Sequence, residues 1–250
     1  MLSLRPQGQH APLRVAAARA GAAATVALPA WRLQRCDTAE SRRKLRAALA
    51  ADSTLFTSPA AVAAAAALLP DLPAEASARW LAVGEGTLRA LHRAGAHHAQ
   101  APSRMDSEGL LAMPALQTLA GRSVGLVTAP GGRGLIAATL QQRGAQVHRA
   151  DVYQRLPLRL PPRSLARLSR SPAPWILALS SSEALHHVWR QLGPAWQDRW
   201  RQQLGVVAAS ARLQQQALDL GLQPVRLAAG PLPAQLAAAA ALRAAEGGWR

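Results

Sequence analysis

The sequence predicts an α/β protein with parallel sheets covered by helices on both faces. Three observations carry this. Short continuous apolar runs of strand length recur along the chain, and most are followed by an alanine- or leucine-rich stretch of about 10 to 15 residues, the length of a helix. The helical stretches begin after Ser, Thr, Pro or Gly, residues that start helices by capping free N–H groups or by fixing the backbone. The strands are unbroken apolar runs rather than alternating ones, as expected when both faces of a sheet are buried.

Taken in order, Val26 to Leu28 is the first such run. Thr54 to Phe56 precedes a helix over Ala60 to Leu69, and Trp80 to Val83 precedes one over Gly86 to Ala94. Val124 to Val127 is followed by Gly134 to Arg143, Trp175 to Leu179 by Ala184 to Leu192, and Gly205 to Ala208 by Arg212 to Leu220. Repetition of strand then helix is the sequence signature of parallel sheets, because each crossover returns the chain to the same end.

The chain also looks duplicated. Leu55-Phe56-Thr57-Ser58-Pro59 resembles Ala178-Leu179-Ser180-Ser181-Ser182, and the same spacing takes Gly21-Ala22 to Gly144-Ala145 and Thr87 to Ser210. Each half then holds a strand ending in a Thr/Ser pair before a helix, and later a second strand ending in Thr or Ser before another. Hydroxyls there are natural N-caps, worth about 1 kcal/mol each. In an open α/β sheet the same positions line the ligand crevice, where free helix N–H groups attract anions. Both roles are open to these residues on sequence grounds.

Composition narrows the partners. The 250 residues carry 29 Lys+Arg against 13 Asp+Glu, a formal charge of +16, and all the basic residues but Lys44 are arginine. That excess suits an anionic partner, and arginine's planar fork fits carboxylate or phosphate; GC-biased coding of a solvated surface would produce the same excess. With 50% hydrophobic and 17% charged residues the chain is expected to fold around substantial cores. Cys36 is the lone cysteine, which excludes an internal disulfide and a four-thiolate metal site and points to a reducing compartment. Met1 to His10 lacks an apolar signal core, and the longest apolar run, Ala60 to Leu69, falls far short of the roughly 20 residues of a membrane span. A cytoplasmic protein without membrane contact is expected.

Other chemistries find little support. His97-His98 and His186-His187 are adjacent pairs that diverge by about 100° on a helix, without an accompanying Cys or carboxylate cluster, so no metal site is expected. Gly84-Glu85-Gly86 and Gly131-Gly132-Arg133-Gly134 follow strands yet match neither phosphate-loop nor dinucleotide patterns. Ser58 and Ser180 to Ser182 lack the nucleophile elbow of hydrolases. Seven Trp with one Tyr and one Phe do not make the aromatic array that stacks single-stranded bases, and the basic stretch Ser41 to Arg46 reads as a solvated helix start.

A further set of short blocks resembles the uroporphyrinogen-III synthase family. They are Arg5-Pro6 after a first strand, Leu28-Pro29, Phe56-Thr57-Ser58-Pro59-Ala60-Ala61-Val62, and Val83-Gly84-Glu85-Gly86-Thr87. They continue with Ser107-Glu108-Gly109-Leu110-Leu111, Gly132-Arg133, Arg143-Gly144-Ala145, Val152-Tyr153-Gln154-Arg155, Ser180 to Ser182, and Ser210-Ala211-Arg212 before Gly221-Leu222. Individually weak, they follow the family's order over nearly the whole chain.

The resemblance implies two flavodoxin-like α/β domains with parallel sheets joined by a two-stranded linker. One domain would comprise residues 1–34 plus 157–250, the other residues 38–150, with crossings at 33–37 and 151–162, where Pro157, Pro161 and Pro162 suit an extended linker. It also implies an activity without a cofactor: cyclisation of hydroxymethylbilane, a linear tetrapyrrole with eight carboxylates, by loss of its hydroxyl as water. Ring D is inverted through a spiro-pyrrolenine to give uroporphyrinogen III, a precursor of haem. Carried over by motif, Tyr153 would assist the departing hydroxyl, and Arg5, Thr57, Ser58, Thr87, Ser180, Ser181 and Ser210 would bind acetate and propionate groups. Arg133 is the other arginine placed near the substrate, and a monomer that binds no nucleic acid is implied. The competing reading from another class is a non-catalytic basic two-domain α/β protein that takes a polyanion or nucleic acid, for which binding would weaken steeply with salt.

Overall fold

Thr38, Ser58, Asp106, Ser181 and Ser210 start helices as side-chain caps, and apolar runs buried on both faces make the centres of the sheets. The computed structural model describes residues 1–70, 72, 79–131, 134–171 and 174–245. In chain order the elements begin with β1 (Leu2–Ser3), α1 (Ala11–Arg19), β2 (Val26–Ala27), β3 (Trp31–Arg35), α2 (Ala39–Leu49), β4 (Ser53–Phe56) and α3 (Pro59–Leu68). They continue with β5 (Arg79–Ala82), α4 (Glu85–Arg93), α5 (Ser107–Leu111), β6 (Ser123–Thr128), α6 (Leu135–Gln142), β7 (Gln146–Asp151) and β8 (Tyr153–Pro157). The remainder are α7 (Pro162–Arg170), β9 (Trp175–Leu179), α8 (Ser182–Trp189), α9 (Pro194–Gln203), β10 (Leu204–Ala208), α10 (Ala211–Asp219), β11 (Val225–Leu227) and α11 (Pro233–Ala245).

The chain divides into two compact units, one of Met1–Arg32 with Leu156–Arg250 and one of Leu33–Arg155. The first holds a parallel sheet in the order β11-β10-β9-β1-β2. Counted within the unit this is 2-1-3-4-5, a doubly wound order whose direction reverses between β1 and β9. The second holds a parallel sheet in the order β5-β4-β6-β7, which reverses between β4 and β6. β3 and β8, where the chain passes from one unit to the other, form a two-stranded sheet.

Alternate strand residues feed separate cores. In the first unit Leu177, Leu179, Val206 and Ala208 pack with Leu185, Val188 and Trp200, whereas Ala178 and Val207 face Leu13, Leu236 and Ala240 on α1 and α11. In the second, Phe56, Trp80 and Val127 join α2, α3 and α4, while Leu55, Leu81 and Leu126 join Leu110 and Leu140. Burying each such side chain stabilises the fold by about 1.5–3 kcal/mol. The helix α2 presses closely on β6: a Cβ at Gly125 would collide with the backbone of Ala48, so only glycine fits there. The buried Thr54 hydroxyl donates to the Ala48 carbonyl at 3.0 Å, satisfying an acceptor left open in the last turn of α2.

The apolar runs named from sequence lie in β2, β4, β5, β6, β9 and β10, and the helices expected after them start within a residue or two. The polar strands β3 (WRLQR) and β7 (QVHRAD) escape that reading for a physical reason: one belongs to a two-stranded sheet and the other is a sheet edge, so neither is buried on both faces. The basic stretch Ser41 to Arg46 lies in α2, where Arg42 pairs with Asp37 and Lys44 with Glu40 on an exposed face. Among the described residues no helix is long and apolar enough to cross a membrane.

Candidate functional site

In open α/β sheets ligands settle beyond the C-terminal ends of the strands at the point where strand order reverses. In the second unit that point lies between β4 and β6. Phe56 is in register with Val127, so Thr57 and Thr128 sit side by side one residue later. The Thr57 hydroxyl donates to Thr128 Oγ1 at 2.8 Å, and the Thr57 N–H bonds the Val127 carbonyl at 3.2 Å. Next in the chain, Ser58 caps α3 by accepting the Ala61 N–H at 3.1 Å.

Tyr153 arrives at the same rim from the far strand. Val152 follows β7 and bonds Thr128 through its N–H at 3.0 Å, which delivers Tyr153 to a position where its phenol lies 3.1 Å from Ser58 Oγ. At 4% exposure the tyrosine is largely screened from water, so what its hydroxyl bonds to matters more than it would at the surface. Beside it, Arg149 grips Asp151 at 2.9 Å and the Ala129 carbonyl at 3.1 Å, tying the end of β7 to the loop after β6. Sequence reading missed Arg149 and Asp151, since neither stands in a block that signals function.

Thr87 occupies the third position of α4, and the N-cap of that helix is Gly84. Its role there is therefore not that of a cap, and the residue is buried, at 2% exposure. Gly132 and Arg133 lie outside the described residues.

In the first unit the reversal falls between β1 and β9. Ser3 pairs with Ala178, which pairs with Val207, so Arg5, Ser180 and Ala209 share one level past the strand ends and Ser181 and Ser210 follow. Ser181 accepts the Ala184 N–H at 3.3 Å and Ser210 the Leu213 N–H at 3.4 Å, capping α8 and α10. Ser180 is exposed. Arg5 is half-buried; burial lowers its pKa from the ordinary value, and no carboxylate pairs with it among the described residues. A desolvated guanidinium at a switch point favours an incoming carboxylate.

His10, unmarked by any sequence signal, stands beside it. Its Nδ1 lies 2.9 Å from the hydroxyl of the fully buried Ser3, and its pKa is lowered first by burial and then by the charges of Arg5 and Arg14. The structure thus groups Thr57, Ser58 and Tyr153 on one rim and Arg5, Ser180, Ser181 and Ser210 on another. Among the described residues, no three of His, Cys, Asp and Glu gather in a way that would hold a metal ion.

Two doubly wound units, each with capped helix N-termini and hydroxyls at its switch point, define an α/β protein suited to anionic ligands. Residues 12–238 match the family model of uroporphyrinogen-III synthase HemD, and the chain belongs to that family. It is 32% identical over 152 residues to uroporphyrinogen-III synthase of Salmonella typhimurium, a match covering 60% of this chain and 61% of that protein. The corresponding protein of Escherichia coli is 31% identical over 150 residues, again covering 60% of this chain and 61% of the relative's length. In fold it resembles a mutant uroporphyrinogen III synthase from the extremely thermophilic bacterium Thermus thermophilus, with TM-score 0.61 at 22% identity, covering 98% of this chain and 96% of that one.

Proposed function

We propose that this protein is a uroporphyrinogen-III synthase, a lyase that cyclises hydroxymethylbilane with loss of water and inversion of ring D. The observation that carries the reading is the rim of the second unit, where a screened Tyr153, Ser58 and Thr57 meet at the switch point in a chain of this family. Two tasks face such an enzyme. It must hold a flexible polycarboxylate so that the spiro geometry is reached before simple closure, and it must help the hydroxyl leave.

The first task falls to the helix N-termini and hydroxyls of the first unit, with Arg5 supplying a bidentate donor to one substrate carboxylate. The second falls to Tyr153. Its O–H bond breaks as the proton passes to the departing hydroxyl, the C–O electron pair leaves with water, and the cationic carbon is attacked by ring D through its substituted position. After the spiro intermediate opens and recloses, the proton lost as the last pyrrole regains aromaticity returns to the phenolate. Family membership and the lone Cys36 support placing this monomeric enzyme in the cytoplasm. The test is complementation: in a bacterial strain deprived of its own synthase, expression of this chain should restore haem-dependent growth. A folded, well-expressed chain that leaves the strain unable to grow would oppose the reading.

A further inference from the structure

We propose that Ser58 is a positioning residue for Tyr153, connecting the phenol to the N-terminus of α3 and supporting it when its proton leaves. The inference rests on the synthase reading and assigns Ser58 a role through Tyr153 instead of through the substrate. Its basis is a valence count. A serine hydroxyl has one proton and two lone pairs. One lone pair of Ser58 Oγ takes the Ala61 N–H at 3.1 Å, which orients the oxygen towards the first turn of α3. Among the described residues, Tyr153 Oη, 3.1 Å away, is the other group hydrogen-bonded to it. When Ser58 donates its proton to Oη, the phenol's own proton is free to turn towards a leaving hydroxyl.

The same arrangement serves the charged state. Once Tyr153 has given up its proton, the phenolate still receives the Ser58 hydroxyl, a charge-assisted bond, and Ser58 is itself polarised by the N-terminal end of a ten-residue helix, where negative charge is favoured. Tyr153 as a whole is 4% exposed and the contact with Ser58 is partly buried, so bulk water competes less for this bond than it would at an open surface. Ser58 and Tyr153 stand 95 residues apart in sequence, and the contact exists only because Val152 is laddered onto Thr128.

The experiment separates this role from helix capping and from substrate binding. Ser58→Gly removes the hydroxyl while costing a helix start little, and Ser58→Thr keeps it. Ser58→Gly should lower kcat for type III product about 10-fold with KM nearly unchanged, and Ser58→Thr should restore most of it. In a Tyr153→Phe background the Ser58→Gly change should add no further loss. Multiplicative losses in the double variant, or a loss confined to KM, would overturn the proposal. An activity-independent readout uses the fact that Tyr153 is the single tyrosine in the chain. Tyrosine labelled with carbon-13 at Cζ gives one resonance, which should move in Ser58→Gly and return in Ser58→Thr. An active enzyme whose resonance ignores Ser58 refutes this inference alone. A wild-type chain that makes no type III product ends the synthase reading, and the assigned role with it, whatever the resonance does.

Discussion

Replacing Arg5 by methionine should separate stability from function. The guanidinium is half-buried, its pKa is lowered by burial, and no carboxylate pairs with it among the described residues. In the free protein it is therefore a desolvated charge without a compensating anion, a state that costs stability, so an apolar side chain of similar length should leave the melting temperature unchanged or raise it. In the complex the position is reversed. A hydrogen bond to a charged group contributes about 1.5–3 kcal/mol, which at 1.4 kcal/mol per decade predicts a fall in kcat/KM of about 10- to 140-fold. Arg5→Lys should recover only part of this, because an ammonium cannot reproduce the fork. The assay is the rate of type III product over a range of hydroxymethylbilane concentrations, paired with thermal unfolding of the same samples. Unchanged kcat/KM, or a loss that follows a matching loss of stability, would refute the reasoning.

Other outcomes follow from single contacts. Thr54→Val orphans the buried Ala48 carbonyl and should destabilise by about 1–3 kcal/mol, read as a lower urea midpoint; an unchanged midpoint would mean that the carbonyl finds another donor. His10 is held below its ordinary pKa of 6.5, so the unfolded chain takes up the proton first. Stability is then full above about pH 6.5 and declines as pH falls towards the folded value, and His10→Asn should flatten that acid-side loss in thermal melts at pH 5 to 8. Ser181→Gly and Ser210→Gly should each cost only a few tenths of a kcal/mol as caps, yet raise KM by about 2- to 10-fold if their hydroxyls hold substrate; an unmoved KM would restrict them to capping.

What the sequence made legible has a common physical basis. β9 (WILAL) and β10 (LGVVA) are almost wholly buried and carry apolar residues or glycine throughout, and β4 (STLF) ends in a buried apolar pair, so all three are visible as runs. β7 and β3 carry arginines because parts of them meet solvent, and β1 and β11 are too short for any periodicity to show. At the site, Ser58, Ser181 and Ser210 could be named as helix starts from their place after apolar runs, and they are caps. Thr87 followed the same logic and differs, because the extended backbone at Gly84 begins the helix three residues earlier. Arg5 and Tyr153 were nameable only through family blocks. The contact between Ser58 and Tyr153 comes from strand order and is invisible to local pattern.

The central claim is that this chain directs ring D inversion. Purified protein supplied with hydroxymethylbilane, with the uroporphyrinogen isomers separated after oxidation, tests it most directly. The account predicts predominantly type III isomer, with the type III rate falling about 10-fold or more in Tyr153→Phe. Type I isomer alone, at the rate of spontaneous closure, would contradict it.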